Sequence, residues 1–221
     1  MSLTLTETKA MEVARRLRSL YPDSRCALAH SSAFQLLVAT ILSAQCTDVR
    51  VNQVTPMLFR KYKGANELAK ARLTDLQRII RSTGFFRNKA RNLRSMARVL
   101  VEKFQGQVPS TMKELLELPG VARKTANVVL GTWFNQASGV VVDTHVRRIA
   151  GLLGLTRHEE PKRIEVDLMK QLPRDEWIDF SHNLIWHGRK VCIARRPRCA
   201  DCRMSDLCPS AFHVERTQGR A

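Results

Sequence analysis

The chain has 221 residues and a formal net charge of +17, from 37 Lys and Arg against 20 Asp and Glu. This length allows one large domain or two small ones, and the positive excess favours a polyanionic partner, with nucleic acid first and an anionic membrane surface second. The sequence has no apolar run near the roughly 18 residues of a membrane span, and its few aromatic residues argue against a broad stacking platform for single strands.

The N-terminal sequence MSLTLTETKAMEV has neither the basic start nor the apolar core of a signal peptide. We therefore expect a cytoplasmic or nucleoid-associated protein in a reducing compartment. Thr4 and Glu7 have the spacing of a capping box, and the apolar residues that follow recur at helical intervals. The pattern predicts an amphipathic first helix that ends before Tyr21.

Two more helices are predicted next. The first begins at Ser31 or Ser32 and is apolar on nearly every side, which indicates a buried helix. It ends at a polar patch with the sequence SAQCTD. Thr47 or Asp48 can cap the following helix, in which Pro56 is expected to cause a kink or a division into two helices.

Residues 60–103 form a strongly basic region, with 13 Lys or Arg against three acidic residues. A charge run of this kind is often a set of solvated helix faces. Here it is interrupted at Gly84, after which Phe85 and Phe86 are predicted to lie in a basic loop. Paired aromatic residues in such a loop are either a packing contact or a wedge that enters DNA between base steps.

The rest of the chain is also predicted to be helical, so the fold class is all-α. The β-branched run at 140–142 finds no second strand to pair with, and we interpret it as a buried extended connector. Further helices are predicted at 89–104, from Ser110 or Thr111 to 116, and at 125–134, 144–153, 160–171 and 175–190.

A Pro-Gly turn at Pro119 and Gly120 joins two of these helices. The N–H groups of a helix's first turn, together with the helix dipole, form an anion site that suits a nucleic-acid phosphate. An ordinary loop between packed helices is the alternative. Lys124 follows in the first turn and Asp143 follows the extended run. Lys124 could instead be a solvated helix lysine, and Asp143 could be a helix N-cap.

Four cysteines lie within 17 residues near the C-terminus, with six, two and five residues between successive members: Cys192, Cys199, Cys202 and Cys208. So short a span can wrap one metal centre. Disulfides are the alternative, but a reducing compartment argues against them. Thiolate ligands alone do not decide between a zinc ion and an iron–sulfur cluster.

Three signatures therefore occur together: LPGVARKTANVV with Lys124, VVVDTH with Asp143, and the C-x6-C-x2-C-x5-C tail. With the segments LLVATILSAQCTDVRVN and STGFFRNKA, they resemble the endonuclease III family of helix-hairpin-helix DNA glycosylases. The resemblance runs from about Pro22 to Cys208. The lysine after Arg123 distinguishes this family from its adenine-glycosylase relatives, which share the cysteine spacing.

The resemblance implies a helix-hairpin-helix DNA glycosylase fold of two helical lobes. A six-helix domain would span 28–137, and a discontinuous lobe would join 1–27 to 138–221 and carry an iron–sulfur cluster loop at 192–208. A [4Fe-4S] cluster would bind the four cysteines. The expected partner is double-stranded DNA with damaged bases or abasic sites, and we expect a monomer that does not associate with membranes.

The implied activity is that of a bifunctional glycosylase and abasic-site lyase in base excision repair, acting on oxidised pyrimidines. The target nucleotide must leave the stack before its sugar C1′ can be reached. Lys124 would then attack C1′ as a neutral amine, which burial, Arg123 and the positive helix end would favour. The resulting Schiff base permits β-elimination of the 3′ phosphate. Asp143 would stabilise positive charge at C1′ or assist proton transfer.

The resemblance also gives roles to residues outside this pair. Gln45 would fill the hole left by the extruded base, and Phe85 is the candidate wedge on the other face. Ser43 and His145 are candidates for the base pocket, although His145 could equally be a core histidine. The remaining predicted contacts to DNA phosphates come from the hairpin and the cluster loop: Gly120, Ala122, Arg123, Arg195 and Arg196.

Three positions depart from the family pattern. Ala122 stands where the hairpin commonly has a second glycine, and it would be strained if that position needs a positive φ. Leu116 replaces a pocket glutamate, and Phe85 replaces a smaller aliphatic wedge. Two alternative functions stay open: a monofunctional glycosylase for mispaired bases such as adenine, and a non-catalytic helix-hairpin-helix DNA-binding protein.

Overall fold

The computed structural model describes residues 5–213, and within them every regular element is helical. The predicted all-α class is therefore confirmed. Short 3-10 turns occupy 81–83, 174–176 and 199–201. The α-helices of the described part are α1 (Leu5–Leu20), α2 (Ala33–Leu42), α3 (Asp48–Lys61), α4 (Ala65–Ala69), α5 (Leu73–Ile80), α6 (Phe86–Phe104), α7 (Met112–Leu115), α8 (Arg123–Thr132), α9 (Thr144–Leu152), α10 (Pro161–Gln171) and α11 (Trp177–Lys190).

The described residues divide into two compact units. One comprises residues 26–138, and the other combines the residues up to Arg25 with those from Gly139 onward. The predicted domain limits of 28 and 137 lie next to these boundaries, and the functional assignment of the lobes stays a prediction. The continuous unit holds α2 to α8, one helix more than the six that the resemblance implies.

The core of the continuous unit is built around α2. Its apolar sequence AFQLLVATIL is buried at eight positions out of ten, since α3, α6 and α8 pack around it. Ser32 caps the helix, as predicted, and its side chain accepts a hydrogen bond from the Gln35 backbone N. The helix ends at Leu42, which places the polar patch after the core and at the surface.

The third helix begins as predicted, and of the two effects expected from its proline the division does not occur. Thr47 caps it, but α3 runs without division through Pro56. Proline removes one backbone hydrogen bond. The buried face at Val51, Val54 and Leu58 holds the two halves of the helix against the same core, so the loss of one bond does not end the helix.

The second unit is a bundle of α1, α9, α10 and α11 around its own apolar core. Its predicted connector has no regular secondary structure and is largely buried: Val140 and Val142 are buried, and the Val141 backbone N donates to Ser181 Oγ at 3.0 Å. The capping box predicted at Thr4 lies outside the described residues. In the part of the chain that is described, each helix is too short or too polar to cross a bilayer.

Candidate nucleic-acid interface and metal centre

The predicted hairpin is formed by α7, a Pro-Gly turn and α8. The turn closes with a hydrogen bond from the Val121 backbone N to the Leu118 carbonyl at 3.1 Å. Gly120 has φ +80, and a Cβ there would come 2.9 Å from the Cβ of Asn92 on α6. Both the backbone conformation and the neighbouring helix therefore require glycine at this position.

Ala122 does not need the glycine that the family pattern suggests. It has φ −96 and ψ 169, an extended conformation that any residue adopts, so the predicted strain is absent. Ala122 is the N-cap of α8 and provides no side-chain cap, and the first intrahelical bond of the helix runs from Ala126 N to its carbonyl. The N–H groups of the first turn have no intrahelical acceptor, as an anion site requires.

Lys124 lies in the first turn of α8, where the sequence places it, next to Arg123. Both side chains are exposed. The expected burial of Lys124 is thus wrong for the protein without DNA. Exposure at the N-terminal end of a helix leaves the amine open to a ligand that approaches the hairpin.

Asp143 has the structural role that was its alternative interpretation. It is the N-cap of α9 in the second unit, and its Oδ1 accepts a hydrogen bond from the Val146 backbone N at 2.8 Å. The side chain is half-buried. Capping uses one carboxylate oxygen, and a carboxylate has two that accept hydrogen bonds, so the cap does not conflict with a second role.

The two residues predicted to enter DNA share an unusual backbone. Gln45 has φ 51 and Phe85 has φ 46, both in the left-handed region that non-glycine residues rarely adopt. Both side chains are exposed, Phe85 by 65%. Phe86, also predicted to lie in the loop, is instead the first residue of α6 and packs against the core. The packing interpretation therefore applies to Phe86, and the exposed side chain of Phe85 has the accessibility that a wedge would need.

Ser43 and His145, the candidate pocket residues, are both half-buried. Ser43 caps the C-terminal end of α2, and its hydroxyl donates to the Thr40 carbonyl at 2.9 Å. His145 lies so close to α11 that a Cβ at Gly188 would come 2.6 Å from its Nδ1. His145 thus packs against a neighbouring helix, and its half-buried side chain agrees with either predicted role.

The four cysteines of the tail line one cavity of about 30 Å³. All four are free thiols, so the structure contains no disulfide among these cysteines. Burial, and then the charges of the neighbouring cysteines, raise the pKa of Cys202 and Cys208 above the usual thiol value. In the described part of the chain, no three Cys, His, Asp or Glu side chains have the arrangement that holds a single metal ion.

Two residues that the sequence did not single out contact these cysteines. Arg148 on α9 donates from its guanidinium to Cys192 Sγ at 3.4 Å and to the Cys192 carbonyl at 2.7 Å. His187 on α11 places Nε2 3.6 Å from Cys202 Sγ, and its Nδ1 is 3.1 Å from the Tyr21 hydroxyl. Burial, and then the charge of Arg148, lower the pKa of His187 to about 4. The local sequence does not predict either contact, because each residue lies on a helix outside the cysteine segment.

Arg195 and Arg196 lie in the loop between the first and second cysteines, and both are exposed. They stand next to each other in the chain and are available to phosphates of a nucleic acid. Arg198, in the same loop, donates to the Lys190 carbonyl instead. The loop therefore uses one arginine for its own conformation and leaves these two at the surface.

Comparison with known proteins gives the family. Residues 38–174 match the model of the HhH-GPD superfamily base excision DNA repair protein. An endonuclease III from Synechocystis sp. is 55% identical over 203 residues, which cover 92% of this chain and 93% of that protein. The chain belongs to the endonuclease III family.

Other members of the endonuclease III family agree with this assignment. An endonuclease III from Bacillus subtilis is 42% identical over 194 residues, which cover 87% of this chain and 88% of that protein. A solved structure of a trapped endonuclease III–DNA covalent intermediate matches with a TM-score of 0.90 at 40% identity, over 95% of this chain and 99% of that chain. The match thus extends over both units, well beyond the hairpin.

Proposed function

We propose that this member of the endonuclease III family is a bifunctional DNA glycosylase and abasic-site lyase of base excision repair. It removes oxidised pyrimidines from duplex DNA and then cleaves the strand on the 3′ side of the abasic site. The observation that carries the proposal is the exposed Lys124 in the first turn of α8, directly after a Pro-Gly hairpin whose following N–H groups suit an anion. The similarity to a relative trapped covalently on DNA supports it.

Lys124 is the proposed nucleophile. Its neutral amine attacks C1′ of the extruded nucleotide, the C1′–N glycosidic bond breaks, and the base leaves with the bonding electron pair and takes up a proton. Ring opening gives a Schiff base between Nζ and C1′. Loss of a 2′ proton then expels the 3′ phosphate and cuts the strand. Because the protein alone leaves this amine exposed, we propose that the bound DNA completes its desolvation.

Asp143 is the proposed electrostatic partner in this reaction. A carboxylate near C1′ stabilises the positive charge that develops on the sugar as the base departs. The hydrogen bond from the Val146 backbone N to Oδ1 fixes the orientation of the carboxylate at the start of α9. The helix cap is then a means of holding the catalytic group.

Base extrusion leaves a gap in the duplex that protein side chains must fill. Gln45 and Phe85 are proposed for this role because both are exposed on turns that the backbone holds in a left-handed conformation. Ser43 and His145 are proposed to line the base pocket. Leu116, in place of the family's pocket glutamate, is 45% exposed and is expected to shift the preference among lesions.

The four cysteines are proposed to hold a [4Fe-4S] cluster. Their free thiols line a common cavity, and a cluster separates its thiolate ligands more widely than a single ion does. Bound there, the cluster would supply a cross-link that fixes the loop carrying Arg195 and Arg196. Brown colour with a charge-transfer absorbance band would support this assignment, and a colourless protein with bound zinc would overturn it.

Borohydride trapping on a duplex with one thymine glycol tests the proposed mechanism, because borohydride reduces the Schiff base to a stable amine. The wild-type protein is expected to form a covalent adduct and a nicked strand. Lys124→Ala should form no adduct, with loss of activity on the order of 10⁴-fold or more. Lys113→Ala removes the same charge from the exposed surface of α7 and serves as the matched control.

The alternatives have distinct outcomes in the same experiment. Release of the base without a nick would indicate a monofunctional glycosylase. Tight binding of DNA without turnover on a panel of lesions would indicate a DNA-binding module. An undiminished adduct with Lys124→Ala would assign the nucleophile to another residue.

A further inference from the structure

Lys89 is a buried lysine within the basic region, where solvated helix faces are the ordinary interpretation of a charge run. Its residue is 5% exposed, and burial lowers the pKa of its ammonium group. Lysine is almost never fully buried unless its charge has partners. Here Nζ donates to two backbone carbonyls, that of Leu42 at 2.8 Å and that of Thr83 at 2.7 Å.

The two carbonyls belong to the C-terminal ends of two helical segments. Leu42 is the last residue of α2, and Thr83 is the last residue of the 3-10 turn at 81–83. Helix C-termini carry partial negative charge and favour a cation. Because α2 has no basic residue in its own last turn, Lys89 on α6 supplies the cation that interacts with this end.

Each helical end leads directly into one of the two left-handed turns. Gln45 follows Leu42 by three residues, and Phe85 follows Thr83 by two. The Lys89 backbone N also donates to the Phe85 carbonyl at 3.0 Å. A bulky residue keeps a left-handed backbone only where its surroundings hold it there. Lys89 is thus bonded to the base of both turns.

We propose that Lys89 is a positioning residue whose buried ammonium fixes the Gln45 turn and the Phe85 turn at one spacing, so that both side chains enter the duplex together at a lesion. This inference rests on the proposed function of Gln45 and Phe85. It assigns Lys89 to base extrusion and not to the chemistry at C1′. A lysine in a basic region would ordinarily be assigned to phosphate binding, but its burial excludes that role.

This role determines which step of the reaction a substitution of Lys89 should slow. Filling both sides of the gap is needed only while a base leaves the stack. An abasic site in a single strand has no stacked base to extrude, so its cleavage by Lys124 should not depend on the spacing of the two turns. Small misplacements of positioning groups cost on the order of 10²-fold in rate when the affected step limits turnover.

The test compares Lys89→Met with wild type on two substrates under single-turnover conditions. Base release from a thymine-glycol duplex should fall roughly 10- to 100-fold, and cleavage of a single-stranded abasic oligonucleotide should change less than about 2-fold. A 2-aminopurine beside the lesion should lose the fluorescence rise that reports opening of the stack. Arg98→Met is the matched control, since it removes a charge and a carbonyl contact from the exposed side of α6.

A double-mutant cycle separates positioning from general stability. In a Gln45→Ala, Phe85→Ala background, Lys89→Met should add less than about 2-fold on the duplex, because the turns no longer carry their side chains. If Lys89→Met does not fold, Lys89→Gln replaces it in the same measurements, because glutamine keeps a hydrogen-bond donor without the charge. Lys89→Arg, which keeps both, should retain more duplex activity than Lys89→Met.

Equal losses on both substrates, or a full loss in the double-mutant background, would overturn the inference. An inactive wild-type protein would instead contradict the proposed glycosylase function, so the two failures are distinguishable.

Discussion

Gly120 is the residue at which the hairpin tolerates no side chain. Its φ of +80 is a conformation that costs little for glycine and much for other residues. In addition, a Cβ would approach both the Cβ and the side-chain amide of Asn92 within about 3 Å. The close approach of the turn to α6 therefore depends on the absence of one methyl group.

We predict that Gly120→Ala lowers the free energy of unfolding by about 1 to 3 kcal/mol, from the positive φ together with the contact to Asn92. DNA affinity should fall as well, since the turn presents the first N–H groups of α8. Chemical denaturation and binding to an uncleavable abasic duplex measure the two effects. Gly151→Ala is the control, because a Cβ added at this helical position in α9 would meet open space. This variant should have an unchanged free energy of unfolding or one raised by up to ~1 kcal/mol. Equal stability of the two variants would contradict the strain argument.

The residues proposed for the chemistry could be found from their type and spacing in the sequence. Lys124 and the four cysteines lie where the motifs place them, on the first turn of α8 and around one cavity. Residues whose role depends on a distant contact could not be found. Lys89 looks like any lysine of a basic run, because its partner Leu42 is 47 positions away. Ala122 is a related case, since only the backbone angles show that it needs no glycine.

Asp143 connects the proposed chemistry to a structural element, because the same carboxylate caps α9. Capping and catalysis require different properties of the side chain. A cap needs an oxygen that accepts a hydrogen bond, which an amide provides as well as a carboxylate does. Stabilising positive charge at C1′ needs the negative charge itself. The two roles can thus be separated by substitution.

We predict that the free energy of unfolding of Asp143→Asn lies within about 0.5 kcal/mol of the wild-type value. That of Asp143→Ala should be lower by roughly 1 kcal/mol, because the cap is missing. Both variants should lose base release by at least about 100-fold, because both lack the charge. Denaturant unfolding and single-turnover kinetics provide the two measurements. Ser32→Ala, which removes the cap of α2, should lose stability without losing activity. A fully active Asp143→Asn would reduce Asp143 to a helix cap.

Helix starts with a side-chain cap were the most predictable feature at this scale, whereas α6 and α8, which lack one, begin at Phe86 and Arg123 and not at 89 and 125. Ser32, Thr47 and Thr111 cap helices as their side-chain chemistry predicts. Pro56 did not divide α3, because local propensity was outweighed by burial of the face on either side of it. Phe86 joined α6 for the same reason, since its ring packs against the core.

At the scale of the whole molecule, the charge of +17 was the first indication of a nucleic-acid partner. Most exposed basic residues add only to a diffuse field, which raises association rates with DNA. Residues that touch phosphates act differently, because each of them releases a condensed counterion and steepens the salt dependence of binding. The slope of log K against log salt concentration therefore reports how many phosphates the protein neutralises, and the net charge does not.

We predict that Arg195→Ala, Arg196→Ala together reduce the magnitude of this slope by about 1.8, or about 0.9 for each phosphate that is no longer neutralised. Fluorescence anisotropy with an uncleavable abasic duplex over a series of salt concentrations measures it. Arg157→Ala, Arg163→Ala remove the same charge from exposed positions around the start of α10 and should leave the slope unchanged. If the slope decreases in the Arg157→Ala, Arg163→Ala variant and not in the Arg195→Ala, Arg196→Ala variant, the protein binds DNA through the surface near α10. That result would contradict the proposed role of the cysteine loop in DNA binding.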